Sequence, residues 1–317
     1  MGGTANSLPV SQRPEADPEN RTSFAALEDR LRQGPAKKLA VVGAHDESAL
    51  VAVARAHQAG IAELILLGDR DKISRIAAER QLRLPTTAIQ HVPDPQEAAL
   101  AALALVREGS VGAIMKGKIS TPDLMRLALR NGLRREERLL SHIAVFEHPR
   151  YQRLIALTDA GLIPYPTFEQ RVGIIRNAVE AMRHLGDTEP KVACLSSTEE
   201  VEEKIPCSVE AQKLAELNRP GGSLADCGFI DGPMDLGAAI DPKTAAIKGK
   251  TGLVAGCATI LHVPDVVAGN LVGKAIMYFS EAKMGGCIVG GTVPVVLLSR
   301  ASTAEEKYAS ILLGLAA

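Results

Sequence analysis

The residues best suited to chemistry are Ser299 and Arg300, which follow the apolar run 293–298. A helical pattern begins a few residues later, so the pair is expected in a turn at a helix N-terminus. Unpaired backbone N–H groups at such a terminus bind anions, and the planar guanidinium of arginine can grip two phosphate oxygens at once. This turn therefore predicts a site for a phosphate compound.

A second turn of this kind follows the predicted strand 111–115. It combines two cations, a glycine and two hydroxyls: Lys116, Gly117, Lys118, Ser120 and Thr121. Together with Gly112 it nearly fits a P-loop, but Ile119 stands where a magnesium-binding Ser or Thr is needed. A nucleoside-triphosphatase is therefore disfavoured, while a plain capped turn and another kind of phosphate site both stay open.

Other polar residues follow or precede apolar runs. Asp159 and Asp231 each end a predicted strand, and either a ligand contact or an ordinary turn explains an aspartate there. Arg138 closes a charged run that is expected to be largely solvated, just before Ser141 and His142. The seven histidines show no metal-binding spacing, so we expect no metal. No GxGxxG fingerprint is present either, and we expect no bound cofactor.

The elements that must position these residues alternate between short apolar strands and amphipathic helices. The first are a strand at 38–42, a helix at 47–59 and a strand at 63–67. Further strands are expected at 88–92, 111–115, 143–146, 154–157, 191–195, 227–230, 259–263 and 293–298. Capping residues mark helix starts at Asp94, Thr121, Thr167, Ser208 and Ser302. This βαβ rhythm predicts an open parallel sheet, with the polar turns at the carboxyl edge where ligands bind.

Composition restricts the class of protein. Hydrophobic residues make up 46% of the 317 residues and aromatic residues only 3%, which favours buried sheets flanked by helices. Lys and Arg (36) nearly balance Asp and Glu (37), so the overall charge favours neither nucleic acid nor an anionic membrane as partner. The five cysteines form no CxxC pair and no apolar run reaches eighteen residues, so we expect a cytoplasmic protein. Residues 1–35 are polar and proline-bearing, which is typical of a flexible leader or linker.

Six segments of the chain match a known pattern. They are MKGKISTPDL, LLSHIAVFEHPRY, LTDAG, DCGFIDGPMDLGAAI, VPDVVAGNLVGKAI and VLLSRAS. In this order they resemble the phosphate acetyltransferase and phosphate butyryltransferase family over about residues 36–317. The LSHIAVFE segment looks more like the butyryltransferase branch.

The resemblance implies a fold of two three-layer α/β domains of the isocitrate and isopropylmalate dehydrogenase type, with the active site in the cleft between them. Domain I would comprise residues 36–162 and 289–317, and domain II residues 163–288. A homodimer or higher homo-oligomer is usual in the family. Some relatives carry an enoyl-CoA hydratase domain upstream, and the leader would suit a remnant of such a fusion.

The resemblance also implies a reaction, in which acyl-CoA and phosphate give acyl phosphate and CoA by direct, reversible transfer. Ser299 would donate a hydrogen bond to the tetrahedral intermediate, Arg300 would hold the phosphate, and Glu306, seven residues after the serine, would act as the base. Acyl-CoA and phosphate are the expected partners, as substrates. The expected substrate-binding residues are Lys116, Ser120, Thr121, Arg138, Ser141, His142, Asp159, Asp231, Gly232, Gly269, Asn270 and Lys274.

One departure from the family pattern concerns the base. The butyryltransferase branch usually continues its Ser-Arg pair with Ala-Asp-Ser, whereas this chain has Ala, Ser302 and Thr303. A cap formed by Ser302 and Glu305 leaves Glu306 as the expected base, with Asp159 and Asp231 as alternatives. Two other functions stay open: a non-catalytic module that binds CoA or acyl phosphate, and a metal- and NAD-dependent dehydrogenase of the same broad fold.

Overall fold

The computed structural model describes residues 22–299 and 301–317. Its strands are β1 (Lys37–Val42), β2 (Ala62–Gly68), β3 (Ile89–His91), β4 (Ala113–Lys116), β5 (Ser141–Glu147), β6 (Leu154–Thr158), β7 (Lys191–Leu195), β8 (Phe229–Met234), β9 (Ile260–His262), β10 (Lys283–Val289) and β11 (Val295–Val296). Its α-helices are α1 (Phe24–Gln33), α2 (Glu47–Gln58), α3 (Arg70–Glu79), α4 (Pro95–Arg107), α5 (Thr121–Arg130), α6 (Phe168–His184), α7 (Pro206–Glu216), α8 (Leu236–Ile240), α9 (Pro242–Ile247), α10 (Val266–Phe279) and α11 (Ala304–Ala316). None of these helices is both long and apolar enough to cross a membrane.

The chain forms two compact units. We call residues 23–146 with 281–317 the terminal unit, and residues 147–280 with Thr22 the middle unit. These bounds differ from the domain limits expected from sequence, 162/163 and 288/289. β6 belongs to the middle unit because it pairs with β9, and β10 belongs to the terminal unit because it pairs with β11.

The sheet of the terminal unit has the strand order β3-β2-β1-β4-β11-β10-β5. Neighbouring strands from β3 to β11 run parallel, whereas β10 and β11 are antiparallel, so the expectation of a purely parallel sheet is wrong here. β1, β4 and β11 are adjacent, and Val42 at the end of β1 is level with Lys116 at the end of β4. The turns after these three strands therefore share one edge of the sheet.

The middle unit has its own row of parallel strands, β6-β9-β7-β8. Thr158, His262 and Cys194 are level with one another on β6, β9 and β7. The polar residues that follow β6 and those near the end of β9 therefore lie at one carboxyl edge, as expected for ligand-binding turns in parallel sheets.

The strand β10 is absent from the strands predicted from sequence, because Gly285 and Gly286 interrupt its apolar pattern. Both glycines lie within the strand because α11 approaches its backbone closely. A Cβ at Gly285 would lie 2.8 Å from the backbone of Ala309 and Ser310. The glycines thus permit helix-to-sheet packing and do not indicate a chain reversal.

The expected flexible leader is wrong for its last part, where α1 forms. The Ser23 hydroxyl accepts a hydrogen bond from the Ala26 N–H at 3.1 Å, and Phe24 and Leu27 are buried. A polar composition averaged over residues 1–35 hid this short amphipathic stretch. Residues 1–21, also part of that prediction, lie outside the described residues.

Helix starts were predicted with mixed success. Asp94 caps α4, and Thr167 with Gln170 forms a complete capping box on α6, as predicted. Ser208 instead lies inside α7, buried, with its hydroxyl donating to the Glu202 and Ile205 carbonyls at 3.1 and 2.8 Å. α7 begins at Pro206, two residues before Ser208, because proline is well suited to the first helical position.

Candidate active site

The Ser299 turn, residues 297–303, connects β11 to α11 in the terminal unit. The Ser299 hydroxyl accepts a hydrogen bond from the Ala301 N–H at 3.3 Å, and its carbonyl accepts one from the Ser302 N–H at 3.1 Å. Since a hydroxyl both accepts and donates, this arrangement leaves its O–H to serve as a donor. Arg300, the expected phosphate ligand, lies outside the described residues.

Three charged side chains share a small cavity with Ser299. Its volume is about 10 Å³, and its polar lining consists of Ser299, Asp46, Lys116 and Lys307. The residues come from the turn after β1, the end of β4, and the turn and helix that follow β11. The structure thus brings together Ser299 and Lys116, two residues predicted from sequence, at one edge of the terminal sheet.

Lys116 ends β4 and is buried. Its Nζ donates to the Gly117 carbonyl at 3.4 Å. Gly117 itself packs against the preceding turn, because a Cβ there would lie 2.4 Å from the Gly43 carbonyl oxygen. This close approach fixes the turn that carries Lys116 against the end of β1.

Asp46 and Lys307 form a partly buried ion pair beside Ser299, in which the lysine is the buried partner. The Lys307 Nζ donates to Asp46 Oδ1 and to the Ser48 hydroxyl, both at 2.6 Å. Burial alone would raise the pKa of the Asp46 carboxyl, but hydrogen bonds from Lys307, the Ala49 N–H and Ser48 outweigh it and hold the pKa below its usual value. Asp46 is therefore ionised at neutral pH, so that the cavity contains a carboxylate as well as two lysines.

A second cavity of about 370 Å³ includes Asp46 in its lining. Ser120 also lines it and is the N-cap of α5, where the sequence analysis had placed Thr121; Thr121 is the first helical residue. The Ser120 hydroxyl accepts from the Asp123 N–H at 3.1 Å and donates to Asp123 Oδ2 at 2.5 Å. The volume of this cavity is typical of small-molecule sites.

The cap of α11 differs from the one expected. Thr303 with Glu306 forms the capping box, in place of Ser302 with Glu305. The Ser302 N–H is still bonded to Ser299, which keeps Ser302 in the turn and moves the helix start by one residue. The Glu306 carboxylate accepts from the Thr303 N–H at 2.7 Å, so its position is explained by capping. It lines a different cavity from Ser299, and its role as the base stays a prediction.

The residues predicted around β5 have different surroundings. Arg138 is exposed, and its carbonyl accepts from Arg134 Nε at 2.8 Å. Ser141 is buried at the start of β5, and His142 is half-buried next to it. A Cβ at Gly286 would lie 3.1 Å from His142 Nε2, so the glycine of β10 makes room for the imidazole.

Three predicted residues lie on or just after strands of the middle unit. Asp159 is buried, and its Oδ1 accepts from the Gly161 and Leu162 N–H groups, both at 2.8 Å. Asp231 and Gly232 lie within β8, whereas the sequence analysis expected them to end a strand. A Cβ at Gly232 would lie 2.7 Å from Cys194 Cβ, so this glycine allows β8 to pack beside β7. Asp159 thus stabilises the turn after β6, and Gly232 allows close packing of two strands.

Gly269, Asn270 and Lys274 all lie on α10 in the middle unit. A Cβ at Gly269 would lie 2.9 Å from Ala160 Cα and from the Asp159 carbonyl oxygen, so the helix rests directly on the turn after β6. Asn270 and Lys274 are exposed one helical turn apart, which places them on the same face. They thus belong to the helix that rests on the Asp159 turn.

Comparison with known proteins decides the family. The protein-family model described as Phosphate acetyl/butaryl transferase matches residues 90–315 of the chain. The chain belongs to this family. The family predicted from the six segments is thereby confirmed, and the protein is a phosphate acyltransferase.

Relatives of this phosphate acyltransferase span nearly its whole length. It is 40% identical to the phosphate butyryltransferase of Clostridium beijerinckii over 293 residues, which cover 92% of this chain and 96% of the relative. It is 37% identical to the phosphate acetyltransferase of Thermotoga maritima, over 89% of this chain and 96% of that one. Neither name includes an enoyl-CoA hydratase, so the expected fusion has no support here.

Solved structures agree with the α/β fold. A branched-chain phosphotransacylase from Enterococcus faecalis matches with a TM-score of 0.76 and 29% identity, over 88% of this chain and 98% of that one. A 4-hydroxythreonine-4-phosphate dehydrogenase from Klebsiella pneumoniae matches with a TM-score of 0.52 and 11% identity, over 89% and 98%. The second likeness concerns the fold alone, and it agrees in part with the dehydrogenase-like architecture expected from sequence.

Two charged residues near Ser299 in this phosphate acyltransferase were not predicted from sequence. Asp46 stands just before a correctly predicted helix, in the position of an N-cap, and Lys307 follows the Ser299 turn. The cap position was a usable signal for Asp46. No local sequence pattern indicates that Lys307 contacts Asp46, because the two residues are 261 positions apart in sequence.

Proposed function

We propose that this phosphate acyltransferase moves a short acyl group between CoA and inorganic phosphate at the Ser299 turn. A phosphate oxygen attacks the thioester carbonyl carbon, the C–S bond breaks, and the CoA sulfur leaves as a thiolate that takes up a proton. The enzyme forms no covalent intermediate. The observation that carries the proposal is the grouping of Ser299 with the buried cation Lys116 at the edge of the sheet where the turns after β4 and β11 meet.

Ser299 is proposed as the donor to the developing oxyanion. Its hydroxyl accepts a local N–H and keeps its own proton for donation. One such donor is typically worth about 2.7 to 4 kcal/mol of activation free energy. Arg300 is proposed to hold phosphate in bidentate fashion. Lys116, which lines the same cavity as Ser299, adds positive charge at that edge of the sheet.

Proton transfer to or from the CoA sulfur requires only a weak base from the protein. A free thiol with a pKa near 8.5 is already a few per cent thiolate at neutral pH, so a modest base suffices. Glu306, Asp159 and Asp231 are the carboxylates predicted for this role. All three accept backbone N–H bonds, which hold them in fixed positions. We therefore propose that alignment of the two substrates, worth roughly 7 to 11 kcal/mol, contributes more than any one base.

The residues of the middle unit are proposed to bind CoA. Asn270 and Lys274 expose an amide and an ammonium on one face of α10, and both groups can bond to a phosphate or an amide of CoA. Gly269 lets α10 rest on the turn after β6, and Asp231 and Gly232 in β8 are retained as candidates of the same unit. The substrate-binding candidates retained in the terminal unit are Ser120, Thr121, Arg138, Ser141 and His142. A cleft between two domains, a homodimer and a cytoplasmic location stay predictions from the family resemblance and composition.

The acyl group is proposed to be short and aliphatic, with butyryl favoured over acetyl. The relative with 40% identity is called a phosphate butyryltransferase, and LSHIAVFE resembles that branch. One methylene changes binding by only about 1 to 3 kcal/mol, so activity on several short acyl-CoA esters is expected.

The test follows CoA thiol release from acetyl-, propionyl- and butyryl-CoA, with and without phosphate. We expect release that depends on phosphate, and a higher KM for phosphate in Arg300→Ala. If CoA binds but no ester releases it in the presence of phosphate, the chain is a binding module and the proposal fails. If Arg300→Ala keeps the wild-type dependence on phosphate, the assignment of that residue fails alone.

A further inference from the structure

Lys307 carries its ammonium group into the interior of the terminal unit. The residue is 5% exposed, and its Nζ lies 2.6 Å from both Asp46 Oδ1 and Ser48 Oγ. Lys307 belongs to the first turn of α11, while Asp46 caps α2. The Asp46–Lys307 pair therefore ties together the first turns of two helices that are far apart in sequence.

Stability alone explains this pair poorly. Taking an ammonium and a carboxylate out of water is unfavourable, and an apolar pair of similar volume often stabilises a fold equally well. What Lys307 does provide, with one short hydrogen bond to Asp46 and another to Ser48, is a fixed distance between the start of α11 and the start of α2. This fixed distance should therefore hold a neighbouring part of the protein in place.

The element held in place is the Ser299 turn. Residues 297–299 follow β11, which pairs with β4 and β10, and residues 301–303 lead into the first turn of α11. Ser299 and Lys307 line the same cavity of about 10 Å³, too small to admit a substrate. Ser299 is exposed whereas Lys307 is buried, so Lys307 supports the turn from the interior of the unit.

A second ion pair between α2 and α11 provides a natural comparison. Arg55 Nη1 and Glu305 Oε2 lie 2.7 Å apart, so this link is about as short as the buried one. Its side chains are 47% and 81% exposed, and neither residue lines the Ser299 cavity. Water and salt weaken such a pair, so it holds the helix far less firmly.

We propose that Asp46 and Lys307 are positioning residues for acyl transfer, which hold the Ser299 hydroxyl where the thioester carbonyl oxygen becomes an oxyanion. This inference rests on the proposed function of Ser299. A misplacement of about 1 Å can lower a rate about 100-fold, so a tether behind the turn matters even though it touches no substrate.

The test is a double-mutant cycle in the full chain, with Lys307→Met made in the wild-type and in the Ser299→Ala background. In the wild-type background we expect kcat for butyryl-CoA to fall about 10- to 100-fold, with KM nearly unchanged. In the Ser299→Ala background the further loss should be less than about 3-fold, because the group being positioned is already gone. A merely structural role would lower kcat by the same factor in both backgrounds.

Glu305→Gln is the matched control, and it should leave kcat at the wild-type value. If Lys307→Met does not fold, Asp46→Asn goes through the same cycle, since asparagine preserves the cap. An unchanged kcat in Lys307→Met, or equal losses in the two backgrounds, overturns the inference while the wild type remains active. An inactive wild-type chain overturns the proposed function and this inference with it.

Discussion

The backbone N–H of Thr303 donates a hydrogen bond to the Glu306 carboxylate at 2.7 Å, and the Thr303 hydroxyl accepts one from the Glu306 N–H at 3.2 Å. This reciprocal pair starts α11 immediately after the Ser299 turn. Glu306, expected from sequence to take the thiol proton, thus has a structural task at the start of the helix.

Substitution of Glu306 separates the two roles. Glu306→Ala should lower the free energy of unfolding by about 1 kcal/mol, whereas Glu306→Gln, which retains a capping oxygen, should lower it little. Because the carboxylate is held by Thr303, we also expect Glu306→Gln to keep most of the phosphate-dependent rate. Denaturant unfolding and thiol release measure the two effects. A rate loss of about 100-fold or more in Glu306→Gln would instead identify the base.

Ser299→Ala should lower kcat about 100-fold or more, since it removes the proposed oxyanion donor. The side chain is exposed, so the unfolding free energy should change by less than about 0.5 kcal/mol. Ser302→Ala is the control from the same turn. Its hydroxyl is buried with no partner among the described residues, so its removal should be neutral or slightly stabilising and leave kcat intact. Equal rate losses in the two variants would contradict the role of Ser299.

The stability of the protein should depend on His262 in mildly acidic solution. Burial, and after it the positive charge of Arg171, lowers the pKa of His262 to about 4 from 6.5. The unfolded chain then binds a proton at this position between about pH 6.5 and 4 while the folded chain does not, so stability falls as the pH falls through this range. His262→Gln should show a flatter dependence, measured as unfolding free energy at pH 7.5, 6 and 4.5. A slope equal to that of the wild type would assign the proton uptake to other groups.

Gly285→Ala should destabilise the terminal unit by about 1 to 3 kcal/mol and lower activity. Its methyl group would lie 2.8 Å from the α11 backbone, which cannot move aside as a flexible side chain can. Moving α11 also moves Lys307 and the Ser299 turn. Gly34→Ala is the control, since its Cβ would meet only the Leu31 carbonyl oxygen at 3.7 Å. Thermal unfolding and thiol release should distinguish the two variants clearly.

The sequence alone was sufficient to predict those strands whose side chains are buried and aliphatic. β1 was predicted within one residue at its start because Leu39, Ala40, Val41 and Val42 form an unbroken apolar run, and all are fully buried. β10 was not predicted, because Gly285 and Gly286 interrupt its apolar pattern. Their true cause, the approach of α11, is a contact between separate elements and leaves no local signature.

The candidate site was predictable to a similar extent. Ser299 and Lys116 follow apolar strands, and parallel topology brings such residues to one edge. The capping residue of α11 was misplaced by one position because both Ser302 and Thr303 can cap, and a backbone bond within the turn decides between them. The Asp46–Lys307 pair could not be foreseen, because it depends on the packing of α2 against α11.

The place of β10 and β11 in the terminal sheet has a consequence for biosynthesis. Both strands stand between β4 and β5, yet the stretch 281–317 that contains them is translated after the whole middle unit. Until then β4 presents an open edge to the nascent chain and to its neighbours, the kind of edge at which aggregation begins. Ser299 and Lys307 leave the ribosome in this same stretch. Catalytic competence and protection of the β4 edge should therefore arise together, as translation of this stretch is completed.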